Sequence, residues 1–186
     1  FTSTGYHYGC IAYDNTFTGF INGTYAFCIA DSNSGASSDG FGGTPTYATV
    51  NCVSYGNGRD GFRSGGNSVI CANCIAESNT GVGFNFTNSG SSVVSLLNAA
   101  YTNTGGAQTN ASNRVTEIGF ITGTASFFTN AAGADFSLNT DAGGGNLLRA
   151  AGYPGALPVG GTGYLDVGAL QHADPAGGSG GAGWWG

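Results

Sequence analysis

Asp39 and Asp60 each stand directly before a Gly-Phe pair, and Arg59 and Arg63 flank the second aspartate. If the two Gly-Phe segments stack as neighbouring strands, the carboxylates lie roughly 5 Å apart. Two carboxyls at that separation can divide the roles of acid and nucleophile in glycoside cleavage. Aspartate is equally a turn residue, because its side chain bonds the nearby backbone. The solvated-turn reading carries more weight, so Asp39 and Asp60 stand as weak catalytic candidates and no catalytic residue is assigned. A second acidic pair, Asp31 and Glu77, reads as exposed. Tyr55 separates its members by two strand spacings, and catalysis is not expected there.

Other chemically capable residues are scattered. His7 and His172 lie at opposite ends of the chain, and no nucleophile motif accompanies them. Cys71 and Cys74 form a Cys-x-x-Cys, but zinc needs four ligands and no second pair exists. In an extended strand, residues three apart face opposite ways, which argues against a disulfide or redox pair. Cys74 instead joins Cys10, Cys28 and Cys52 in a recurring position, read as a column of mostly free, buried thiols. Asp- and Gly-rich turns can supply oxygens to calcium. The nonapeptide repeat of calcium-binding coils is absent, so no metal or cofactor is expected. Tyr13, Tyr55 and Tyr101 recur at one position and could stack on sugar rings or on a neighbouring subunit.

Positioning any of these groups falls to a repeat. Cys10-Ile11-Ala12-Tyr13-Asp14-Asn15 leads to Gly19-Phe20, and Cys28-Ile29-Ala30-Asp31-Ser32-Asn33 leads to Gly40-Phe41. Cys52-Val53-Ser54-Tyr55-Gly56-Asn57 leads to Gly61-Phe62, and Cys74-Ile75-Ala76-Glu77-Ser78-Asn79 leads to Gly83-Phe84. A degenerate fifth copy starts at Asn98, runs to Tyr101-Thr102-Asn103 and ends in Gly105-Gly106. The starts are 18, 24, 22 and 24 residues apart. A fixed motif at variable spacing fits stacked coils of ~20–25 residues whose loops differ in length. The expected fold is all-β: a right-handed, single-stranded parallel β-helix over residues 1–172. A Gly-rich tail, residues 173–186, follows and ends in Trp184-Trp185-Gly186.

Stacking turns the recurring positions into ladders. Asn15, Asn33, Asn57, Asn79 and Asn103 form an amide ladder, each side chain having donors and an acceptor for its neighbours. Phe20, Phe41, Phe62 and Phe84 form a core stack, with the preceding glycine permitting the turn that delivers each ring. Strand alternation lets either the Cys and Ala positions or the Ile positions face inward. Cys and Ala are favoured, because the Ile phase continues into Tyr13, Asp31, Tyr55 and Glu77. Ile11, Ile29, Val53 and Ile75 then form an outward aliphatic stripe that needs a partner.

Composition supports this vocabulary. Only 8% of residues are charged, 36 are glycine, and Lys and Met are absent, which leaves little to build long helices. The net charge of −6 argues against nucleic acid, which needs clustered basic residues. No apolar run approaches the ~18–20 residues of a membrane span. The chain opens in repeat material without Met, so a processed or truncated chain with an exposed first coil is expected.

The Cys-Ile-Ala-x-x-Asn…Gly-Phe repeats resemble the parallel β-helix repeats of bacterial and phage surface proteins. Ala134-Asp135-Phe136-Ser137-Leu138, Leu147–Gly152 and Leu165-Asp166-Val167-Gly168-Ala169-Leu170-Gln171 resemble the closing motifs of the choice-of-anchor Q family. That resemblance implies a final Asp-Ile-Gly-Ala-type strand and an extracellular or surface setting. No hydrophobic sorting helix follows Gln171, so the family's usual anchor is not expected.

The leading expectation is a non-enzymatic structural protein that assembles with its own copies in a fibre, cell-surface layer or virion. Trp184 and Trp185 and the Ile stripe are its expected contacts. A glycan-binding adhesin or receptor-binding module using the Tyr column comes second. A tailspike-like polysaccharide hydrolase or lyase using Asp39 and Asp60 comes third.

Overall fold

The computed structural model describes residues 4–43, 47–65, 68–87, 92–110, 115–149, 151–152 and 165–171. His172, Arg114 and the tail with Trp184 and Trp185 lie outside the described residues. The chain winds into about five coils of a parallel β-solenoid. The first coil contains β1 (Tyr6–Tyr8), β2 (Ile11–Tyr13) and β3 (Phe20–Ile21). The second contains β4 (Thr24–Ala26), β5 (Ile29–Asp31) and β6 (Phe41–Gly42). The third contains β7 (Tyr47–Val50), β8 (Val53–Tyr55) and β9 (Phe62–Arg63). The fourth contains β10 (Val69–Ala72), β11 (Ile75–Glu77) and β12 (Phe84–Phe86). The fifth contains β13 (Val93–Leu96), β14 (Ala99–Tyr101) and β15 (Gln108–Asn110). A partial turn, β16 (Val115–Ile118) and β17 (Ile121–Thr122), follows, then an antiparallel hairpin, β18 (Phe128–Asn130) and β19 (Asp135–Leu138).

Equivalent strands stack into three parallel sheets. Sheet 1 runs from β1 to β16, sheet 2 from β2 to β17 and sheet 3 from β3 to β15. The register is the one the repeat predicts: Ala30 pairs with Ala12 and Ser54, and Phe41 with Phe20 and Phe62.

Two corners close each coil's turn through sheets 1 and 2. At the first, Gly9, Phe27, Asn51, Asn73, Leu97 and Gly119 take positive φ between 47° and 68°. At the second, Asp14, Ser32, Gly56, Ser78 and Thr102 do the same, between 48° and 62°. Left-handed backbone costs a non-glycine residue about 1–2 kcal/mol. Each corner still keeps its ladder bond, as in Asn51 N–H to Ala72 O (2.9 Å) and Ser32 N–H to Tyr55 O (3.0 Å).

The core fills with the predicted columns. Phe20, Phe41, Phe62 and Phe84 stack at centroid separations of 4.9, 4.8 and 4.9 Å, close to the strand spacing. All four rings are buried, and each such burial stabilises by about 2–3 kcal/mol. Their glycines act by space rather than by conformation. A Cβ on Gly61 would lie 2.5 Å from Gly83 O, and one on Gly83 2.6 Å from Ala107 O, while φ at both is ordinary. In the fifth coil the Phe position is taken by Gln108, and Phe120 packs edge-on against Phe84 instead. Cys28, Cys52 and Cys74 are buried and face inward with Ala12, Ala30, Ser54, Ala76 and Ala100. Each of these three thiols donates to the carbonyl two residues earlier at 3.3 Å.

The Asn ladder is continuous. Each Nδ2 donates to the next Oδ1: Asn15 to Asn33 (2.7 Å), Asn33 to Asn57 (2.8 Å), Asn57 to Asn79 (2.9 Å) and Asn79 to Asn103 (2.9 Å). The second amide hydrogen reaches a carbonyl of the preceding coil, as from Asn57 to Ala30 O and Asn79 to Ser54 O, both 3.1 Å. Each Oδ1 from Asn33 to Asn103 also accepts the backbone N–H of the preceding Asn.

The outward stripe does not await a second chain. Ile29, Val53 and Ile75 are buried beneath the protein's own C-terminal segment, packed with Phe127, Phe128, Phe136, Leu138, Leu148 and Val167. Their expected role in assembly is therefore corrected. Only Ile11 stays exposed, at 69%. Gly168 fits here because a Cβ would lie 2.6 Å from Ile75 Cδ1, and its φ is +107°. Residues 166–171 form a bent segment rather than the expected final strand. It is tied down by Asn51 Nδ2 donating to Asp166 O (2.8 Å) and Gly168 O (3.1 Å).

Asn57→Ala is expected to cost about 3 kcal/mol or more, since it strands buried donors on Asn33 as well as removing its own bonds. Asn15→Ala, at the exposed end, should cost less than about 1 kcal/mol. Urea denaturation followed by circular dichroism measures both, and equal costs would contradict the ladder's role.

Candidate functional site: the arginine cleft

Sheet 3 presents an outward column of Ile21, Gly42, Arg63 and Asn85, each one strand above the last. Gly42 leaves a gap between Ile21 and Arg63. The resulting cleft has a volume of about 540 Å³, and Thr18, Asp39, Arg59, Ser64 and Thr87 complete its main lining.

The Phe register places Asp39 and Asp60 one coil apart, as the sequence predicts. Both are buried, and their oxygens are already engaged. Arg59 grips Asp39 with two hydrogen bonds, Nε to Oδ1 at 2.6 Å and Nη2 to Oδ2. That grip raises the pKa of the Arg59 guanidinium further above its ordinary value. Asp39 Oδ1 also accepts Asp60 N–H (3.2 Å). Asp60 accepts Val82 N–H (2.8 Å) and Asn85 Nδ2–H (2.7 Å). Arg63 lies 4.0 Å from Asp39 and 3.9 Å from Asp60. The pair thus ties three successive coils together, a positioning role the sequence spacing did not reveal.

The Tyr column is not a continuous platform. Tyr13 is exposed, but Tyr55 packs against Phe128 and Phe136, and Tyr101 against Phe127. Asp31 and Glu77, read as exposed, are 4% and 3% exposed. Glu77 anchors the C-terminal segment, accepting Ser126 Oγ–H (2.7 Å) and Phe127 N–H (3.0 Å). Burial pushes its carboxyl above the ordinary value of 4.5 despite those bonds. Burial likewise pushes the Cys52 and Cys71 thiols well up.

Among the described residues, no group of three or more His, Cys, Asp or Glu is placed to hold a metal ion. No helix among them is long and apolar enough to cross a membrane. No family model, curated protein or solved structure matches this chain.

Two outcomes follow from these contacts. Asp39→Asn should cost about 2–3 kcal/mol, between the exposed-pair and buried-pair limits, because Arg59 loses a bidentate partner. Chemical denaturation measures it, and a neutral effect would remove the tie. Glu77 has a folded pKa raised above its unfolded one, so protonation favours the fold. Stability from this group is full below about pH 4 and is lost as pH rises through the folded pKa. Gln can keep both contacts without the charge, its oxygen accepting Phe127 N–H and its NH2 donating to Ser126 Oγ. The melting temperature of Glu77→Gln relative to the native chain should therefore climb as pH is raised from 4 to 7. A difference that stays constant with pH would contradict this.

Proposed function

We propose that this protein is a non-enzymatic, surface-displayed structural β-helix that assembles with copies of itself. One observation carries the reading. Tyr6, Tyr8, Ile11 and Tyr13 stand together around the corner between sheets 1 and 2 of the first coil, 61–69% exposed. This patch continues the sheet 2 stripe past the point where Phe127, Phe128 and Phe136 cover it. Tyrosine-rich apolar patches are characteristic of protein interfaces, and a patch of this kind suits a contact between two copies of the chain. The assembling surface is thus the uncovered start of the stripe, not the whole stripe.

The likeness of the C-terminal motifs to the choice-of-anchor Q family supports an extracellular or cell-surface setting, such as a fibre, surface layer or virion. Polysaccharide cleavage by Asp39 and Asp60 has the least support, because their oxygens already serve Arg59, Val82 and Asn85. A glycan-binding role is favoured by the cleft rather than by the tyrosines.

Sedimentation velocity across a wide concentration range tests the assembly. The native chain should form a dimer or larger species, and Ile11→Asp combined with Tyr13→Asp should sediment as a folded monomer. A native chain that stays monomeric at the highest concentration would overturn the proposal.

A further inference from the structure

The cleft on sheet 3 sorts its charges by depth. The Asp39 and Asp60 side chains are 4% and 7% exposed, whereas Arg59 and Arg63 are 32% and 43% exposed. Solvent therefore meets guanidinium, with the countercharge buried beneath it. Two of the four arginines in a chain of net charge −6 converge on this one cleft.

We propose that this cleft binds a saccharide bearing a carboxylate. Arg63 pairs with the carboxylate, as guanidinium does wherever planar recognition is needed. Thr18 and Thr87 meet the ring hydroxyls, and Ile21 packs against the apolar face of the ring. A cleft of about 540 Å³ suits a small organic molecule and is far larger than an inorganic oxyanion needs. Gly42 keeps it open, because a side chain there would stand between Ile21 and Arg63 in the outward column. The site lies on a different sheet from the tyrosine patch and does not depend on self-association.

The test uses an array of uronate- and sialate-bearing oligosaccharides with matched neutral ones, followed by calorimetric titration of the tightest binder. Saturable binding confined to the acidic members is expected. Arg63→Gln should weaken it about tenfold or more. Tyr13→Ala should leave it unchanged. No binding to any acidic member would overturn the proposal. So would equal binding of inorganic phosphate, or binding that survives Arg63→Gln and fails in Tyr13→Ala.

Discussion

Every coil of this protein must sit one strand spacing above the last, and a row of side-chain amides enforces that spacing from within. An asparagine is short enough to stay at its own corner. It also has enough donors and acceptors to bond the coil on either side and its own ladder partner at once. Asn33, Asn57 and Asn79 are completely buried, so a slipped register would leave several polar groups unmatched in a dry interior. Neighbouring phenyl rings meet at the same spacing, and the thiols take the same register. The aromatic stack thus supplies much of the burial, and the amides supply the specificity.

With the register fixed, function falls to what each coil presents outward. On sheet 3 one glycine opens a cleft between Ile21 and Arg63. On sheet 2 the aliphatic stripe is sealed by the C-terminal segment, held by Glu77 and Asn51. The seal leaves Ile11 and Tyr13 uncovered. Both candidate surfaces are therefore local exceptions on a regular scaffold, one made by a missing side chain and one by a cover that stops short.

The regular part was legible in the sequence because it is periodic. Fixed offsets from Cys to Asn and to Phe gave the register, the amide ladder and the ring stack. Periodicity left the inward phase open, and Cys and Ala were favoured because the alternate column carries Tyr, Asp and Glu, of which Asp31 and Glu77 are in fact buried. The cover was not legible, since Asn51 reaches Asp166 over 115 positions with no repeating signal. For the same reason Tyr55, Tyr101, Asp31 and Glu77 read as exposed when nothing local marked them as covered. The stacking of Asp39 on Asp60 was readable, but their capture by Arg59, Val82 and Asn85 needed three coils in view. The cleft could have been suspected from the column after each Phe, where Gly42 interrupts Ile21, Arg63 and Asn85.

Hydrogen exchange of the asparagine side-chain amides, resolved by nuclear magnetic resonance, tests the amide ladder most directly. The Nδ2 hydrogens of Asn33, Asn57 and Asn79 should exchange only on global unfolding, at the rate of the core strand amides, while those of Asn15 exchange fast. Rapid exchange at Asn57 in the folded protein would contradict the account.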